Sequence, residues 1–237
     1  SVALDDTDKL KIFHDDAVAL GISFEPPNIN TGTYRFEPVA DTVVRYGLGA
    51  IKGTGQGAIE AIVAARNEGG PFTSLFDFCA RVDRSRLNKR TVEALVKAGA
   101  FDVFGCERSQ LVASIPLAFD YADTQAANAD QGGLFDFGDS HAASTNEPDL
   151  VQAAPWSIKE RLGFEKTALG FYLSGHLFDQ SADEVRRFAR RRNADIVDSR
   201  EPQLLAGIVG DLRVVNGQRG RVAIFKLDDK TEVLEAV

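Results

Sequence analysis

The chain has 237 residues, 44% of them hydrophobic, and a formal net charge of −8. That length builds one large or two to three small domains, and the acidic balance excludes a dedicated nucleic-acid coat protein. It leaves room for a local DNA contact, because the charge is uneven: +2 over residues 41–105 against −7 over 106–156. No run is long and apolar enough for a membrane span or a signal peptide. Two cysteines, Cys79 and Cys106, without a C-x-x-C pair, fit a reducing compartment and no zinc site. The sequence contains no methionine, so an internal piece of a longer protein is expected.

Residues 1–24 open with Asp6-x-Asp8, a carboxylate pair that invites a two-metal reading. The stronger reading is that these acids cap an amphipathic helix with Leu10, Phe13 and Val18 on its apolar face. His14, on the same helix, is expected at the surface. EPPNIN (25–30) predicts a rigid turn. Tyr34, Phe36, Val43 and Val44 predict a short hairpin.

Tyr46–Phe101 is the most informative stretch. A short apolar turn (Leu48, Ala50, Ile51) leads into Gly53-Thr54-Gly55, with Gly57 just beyond. Ala58, Ile59, Ile62 and Val63 then recur at helical spacing. Glycine reaches positive φ without strain, and Gly-x-Gly at a helix start aims free N–H groups where the helix dipole favours an anion. With Lys52 alongside, the ligand predicted is a nucleic-acid phosphate, held without reading bases. The competing reading is a tight helix–helix corner and nothing more. A second helix pair is predicted over Ser74–Arg81 and Asn88–Ala98, with Val92, Leu95 and Val96 inward and Gly99 as the stop. Residues 81–97 carry six basic and two acidic side chains, which suits a surface that tracks a phosphate backbone. The DNA-binding candidates are Lys52, Gly53, Thr54, Gly55, Gly57, Arg84, Arg86, Lys89 and Arg90.

A helix is predicted from about Glu107 to Tyr121, kinked at Pro116. Residues 122–155 have no sustained period and read as loosely laid chain. Within them, Gln131-Gly-Gly-Leu134-Phe135-Asp-Phe137 is an apolar cluster in polar surroundings. That marks a docking peptide, or else an anchor of the loop on its own domain. Ser157-x-x-Glu160 and Ser181-x-x-Glu184 are capping boxes that start helices through about Leu169 and Arg190. His176 lacks a companion acid or nucleophile in any motif, which favours a structural role. Arg186, Arg187, Arg190, Arg191 and Arg192 form a second basic patch that meets DNA or solvates a helix. From Leu204 the period becomes two, predicting a three-strand meander with Asn216-Gly217 as a hairpin turn. Asp228 and Asp229 fall at a turn and are not read as metal ligands.

The runs YGLGAIKGTGQGAIEAI, FDFCARVD, LNKRTVEALVKAGAFD and EKTALGFYLSGHLFD resemble the C-family replicative polymerases, the bacterial DNA polymerase III alpha subunits. Leu177 stands where that family customarily has proline. Gln131-x-x-Leu134-Phe135 resembles the bacterial sliding-clamp-binding motif, with Phe137 as an added contact. The resemblance implies an α+β, mostly α-helical fold with tandem helix-hairpin-helix motifs and a C-terminal, incomplete OB-fold. It divides the chain into the end of the fingers region (1–40), tandem hairpins (41–122), a clamp-binding segment (123–156), a helical connector (157–202) and the start of the OB-fold (203–237). The parent would be a DNA-directed DNA polymerase using Mg²⁺. This chain, lacking the catalytic carboxylates, would supply DNA grip and clamp tethering and be inactive alone, with no catalytic residue, metal ligand or cofactor of its own. Implied partners are primer–template duplex, single-stranded template at the OB-fold, the sliding clamp and other replicase subunits, in a bacterial cytoplasm at the nucleoid, with no membrane. Two other readings stand beside it. One is a non-catalytic helix-hairpin-helix/OB module of a DNA repair protein or ligase. The other is an acidic interaction protein without a DNA role.

Overall fold

The computed structural model describes residues 7–132, 147–217 and 220–237. Those residues divide into two compact units, up to Leu173 and from Ser174. The architecture is α+β and mainly helical.

The first unit starts with helix α1 (Thr7–Ala19) and strand β1 (Ser23–Glu25), followed by the hairpin β2 (Glu37–Ala40) and β3 (Val43–Arg45). The predicted hairpin is present, and β1 joins it in parallel, giving the order β1-β3-β2 with Phe24 opposite Val44. α1 packs through Leu10, which is buried, and His14, whose ring lies 4.6 Å from those of both Phe24 and Phe171. Phe13 and Val18 are exposed. The surface expectation for His14 is therefore corrected. Flat and amphipathic, an imidazole fills the slot between two aromatic rings, while its Nδ1 stays 3.2 Å from Asp15. The Asp6 and Asp8 side chains lie outside what the structure describes.

The EPPNIN turn does more than bend the chain. The Asn30 amide exchanges two hydrogen bonds with the backbone of Phe72, and buried Ile29 donates its N–H to Ala100. The hairpin helices come next: a 3-10 turn at Leu48–Ala50, α2 (Gln56–Gly69), α3 (Leu75–Arg81) and α4 (Lys89–Lys97). Their inward faces are those read from the periodicity, since Ile59, Ile62, Val92, Leu95 and Val96 are fully buried. Gly99 ends α4 at φ +89°, a conformation that glycine alone takes without strain.

Helix α5 (Arg108–Gly132) packs on α3 and α4. It continues through Pro116, whose ring is exposed, and past Tyr121, where the sequence predicts an end. The extension is rich in alanine, so backbone propensity sustains it without an apolar stripe. After it, Val151 donates its N–H to Ser114 Oγ at 2.8 Å. Helix α6 (Ile158–Leu169) starts at the Ser157–Glu160 capping box, as predicted, and packs on α4.

In the second unit, β4 (Ile208–Gly217), β5 (Gly220–Asp228) and β6 (Val233–Ala236) form the predicted antiparallel meander. Asn216-Gly217 is not its turn. Asn216 pairs with Arg221 and Gly217 with Gly220, so the strand runs through the dipeptide. Before the sheet, α7 is one turn long (Ala182–Val185), and Ser181 makes no side-chain cap. Ser181 already ends the preceding 3-10 turn (Leu177–Gln180), so its backbone is committed. The box that forms is one step earlier: His176 Nδ1 accepts from the Phe178 N–H, and Asp179 accepts from the His176 N–H. His176 Nε2 also lies 3.2 Å from Asp228, a structural arrangement. Asp229 is the hub of this unit. Its buried carboxylate accepts from Arg186, Thr231 and the backbone N–H groups of Asn193, Thr231 and Glu232.

Candidate nucleic-acid interface

The glycine loop is held at both ends by backbone contacts. Lys52 donates its N–H to the carbonyl of Ala168 at the end of α6, at 2.8 Å. Thr54 turns its hydroxyl inward, onto the carbonyls of Leu48 and Ile51. Gly53 stands at φ +89°, and its carbonyl accepts from the Thr91 hydroxyl on α4 at 3.3 Å. Thr91 is buried and 38 positions away in sequence, so no local signal in the chain announces that it couples the two hairpins.

Past the loop, the start of α2 is open. Gly55 is the N-cap of α2 and supplies no side-chain cap. The starts of α3, α4 and α6 are instead capped by Ser74, Asn88 and Ser157. A Cβ added to Gly55 would meet nothing within 4 Å. The first turn of α2 thus faces outward with its amides uncapped by any side chain and the positive end of its dipole exposed. The Lys52 side chain is exposed beside it.

The second hairpin brings its loop to this spot. Asp83 accepts from both the N–H and hydroxyl of Ser85, which holds its carboxyl below the ordinary range and shapes the loop. Arg86 is 59% exposed, with Nε 3.9 Å from Asp83 and Nη1 only 3.1 Å from where a Cβ on Gly57 would sit. Lys89 and Arg90 occupy the first turn of α4, exposed, at the end of the helix where the dipole disfavours cations. Arg84 is placed differently. Its guanidinium lies 3.9 Å from the Phe119 ring centroid and pairs with Asp123 on α5, so it braces the hairpin against that helix.

The structure therefore brings Lys52, Gly53, Gly55, Gly57 and Arg86 into one locality and engages Thr54 and Arg84 in internal contacts. Of the rest of the cationic run, Lys89 and Arg90 stay exposed and the other two are paired. Arg81 pairs with Asp77 and Lys97 with Glu93. Arg66, outside that run, donates to the carbonyls of Ile29 and Gly32. Leu134, Phe135 and Phe137 lie outside the described residues, as does the side chain of Gln131, whose backbone ends α5. Among the described residues, no three His, Cys, Asp or Glu side chains group to hold a metal ion. No described helix is long and apolar enough to cross a membrane.

Residues 21–111 match the model of a helix-hairpin-helix motif family. The chain is 48% identical, over 99% of its length, to the DNA polymerase III subunit alpha of Neisseria meningitidis serogroup B, of which it covers 20%. It is 38% identical to that of Pseudomonas aeruginosa and 37% identical to that of Escherichia coli K12, covering 21% of each. The chain spans about a fifth of the length of the curated relatives it matches. Over that span, and with its paired hairpins in place, the chain matches a part of the DNA polymerase III alpha subunits.

Proposed function

We propose that this chain grips the backbone of duplex DNA within a replicative, DNA-directed DNA polymerase. The observation that carries the reading is the uncapped first turn of α2 with Arg86 set against Gly57. Free amides at a helix start, a flanking guanidinium and a mobile lysine are a phosphate site that reads no base. Lys89 and Arg90 supply a second phosphate contact, which would offset their unfavourable place on the dipole of α4. Thr54 and Arg84 serve by holding the two loops in shape.

The remaining roles come from the same family. Gln131, Leu134, Phe135 and Phe137 tether the chain to a sliding clamp, and the second unit begins an OB-fold that meets single-stranded template. Nucleotidyl transfer, with its Mg²⁺, belongs to other parts of the parent polymerase, which works with other replicase subunits at the bacterial nucleoid. The family relationship favours this over a repair or ligase module. The test is duplex binding at low salt by the wild-type chain and by Lys52→Glu combined with Gly55→Val. The variant should lose most of its affinity, and an unchanged affinity removes the hairpin assignment.

A further inference from the structure

Between the 3-10 turn at Leu177 and the sheet of the second unit runs Arg186-Arg187-Phe188-Ala189-Arg190-Arg191-Arg192. Its members divide sharply by what they touch. Arg186 is fixed by buried Asp229 and by the Arg191 carbonyl. Arg192 forms a two-point pair with Asp195, and Arg191 donates to Gln203. Ala189 is buried and anchors the segment from below. These contacts hold the backbone in place, and three side chains are left over. Arg187 and Arg190 are exposed, with no ion pair or hydrogen bond from their side chains among the described residues, and Phe188 is 75% exposed.

A lone exposed ring is ordinary on a protein surface, but Phe188 stands between two arginines whose side chains have no ion pair or hydrogen bond among the described residues. The arrangement has a use if a partner brings a flat apolar face together with negative charge. An unpaired nucleotide does so, because its base stacks on the ring and its phosphates meet the guanidinium groups. A duplex hides its bases and offers only phosphates. An acidic peptide offers charge without a stacking face. Asp183 and Glu184 precede the patch and match Arg187 and Arg190 in number, so the stacking face rather than net charge distinguishes the contact.

We infer that Arg187, Phe188 and Arg190 form a contact for single-stranded nucleic acid, with Phe188 as the stacking platform. The contact lies outside the strands β4–β6 and makes the arginine turn a binding element in its own right. It rests on the reading that this chain handles DNA, and it is separable from the hairpins.

The experiment compares the whole chain and its Phe188→Ala variant for binding to an oligo-dT strand and to a duplex of equal phosphate count. Phe188→Ala should weaken the single strand about tenfold, as expected for one lost stack, and leave the duplex unchanged. A second measurement reports stacking directly. Trp156 is the sole tryptophan, so a Trp156→Phe/Phe188→Trp chain carries one indole at the platform, and oligo-dT should quench it. Equal single-strand affinity with no quenching, while Lys52→Glu/Gly55→Val still weakens the duplex, overturns this contact and leaves the hairpin reading standing. Displacement of oligo-dT by polyglutamate at matched charge, with Phe188→Ala silent, also overturns it, in favour of an acidic-peptide surface. Failure of wild type to bind either DNA removes both readings.

Discussion

Arg86 Nη1 lies 3.1 Å from the position a Cβ on Gly57 would take, so the loop of one hairpin reaches the first helical turn of the other. Neither hairpin makes the site alone. The first supplies amides and a dipole end; the second supplies a guanidinium.

The three glycines should separate in their effects. Gly53→Ala forces an L side chain to φ +89° and should destabilise the first unit by about 1 kcal/mol. Gly55→Ala meets open space, and Gly57→Ala meets only the tip of Arg86, inside a helix where alanine is preferred to glycine. Gly57→Ala should fold at least as well as wild type and Gly55→Ala, at an N-cap where glycine is preferred to alanine, slightly less well, and both should bind duplex more weakly. The check is a denaturation midpoint beside a binding isotherm for each. Parallel losses in both readouts would assign all three glycines to packing.

The arginines should separate too. Arg86→Ala and Lys52→Ala should each reduce the log–log salt slope of duplex binding by about 0.9. Arg84→Ala should leave that slope unchanged and lower stability instead, because its guanidinium is already engaged with Asp123 and Phe119. A slope change at Arg84 equal to that at Arg86 would place it on the DNA.

These contrasts mark what the chain discloses by itself. The period of Ala58, Ile59 and Ile62, the glycines of the turn and the Ser157 box are local signals, and each holds in the fold. His14 and Thr91 are settled by partners far along the chain, a ring at Phe171 and a carbonyl at Gly53, which no spacing rule reaches. Charge counting finds the basic run 81–97 but cannot say that Arg81 and Lys97 pair closely within their own helices while Arg86, 3.9 Å from Asp83, stays mostly exposed. The early end of α7 and the strand that runs through Asn216 have the same origin: Ser181 and Asn216 carry the right local chemistry, yet a neighbouring element had already claimed their backbone.

Asp229 should give the second unit its pH dependence. Burial raises the affinity of its carboxyl for a proton, but hydrogen bonds from Thr231 and Arg186 and from the Asn193 and Thr231 amides outweigh it and hold the group far below the ordinary range. Its folded pKa is therefore depressed. The stabilisation is fully present above the unfolded value of about 3.9 and is lost as pH falls towards the folded one. Asp229→Asn should cost roughly 3 kcal/mol at neutral pH, at the low end for a broken buried pair because Arg186 keeps some exposure. It should also flatten the loss of stability below about pH 5. A wild-type unit equally stable at pH 3 and pH 7 would refute the linkage.

The clamp tether makes the last prediction. Leu134 and Phe135 should insert as apolar anchors into a groove on a bacterial sliding clamp, with the Gln131 amide giving direction and Phe137 adding area. Helix α5 runs to Gly132, so the motif begins where that helix ends and Gln131 sits on its last turn. To insert, the last turn has to unwind or present Gln131 in helical form, and fixing the chain on the clamp costs conformational entropy. Affinity should accordingly be modest, roughly micromolar. A polymerase and a clamp on one DNA would raise it through effective concentration. Calorimetry of the whole chain against a clamp, beside Leu134→Ala/Phe135→Ala, decides the matter: binding should fall at least tenfold in the variant. Equal heats from the two would return the cluster to anchoring its own loop. A Gln131→Ala chain that binds as well as wild type would assign the grip to the apolar pair alone.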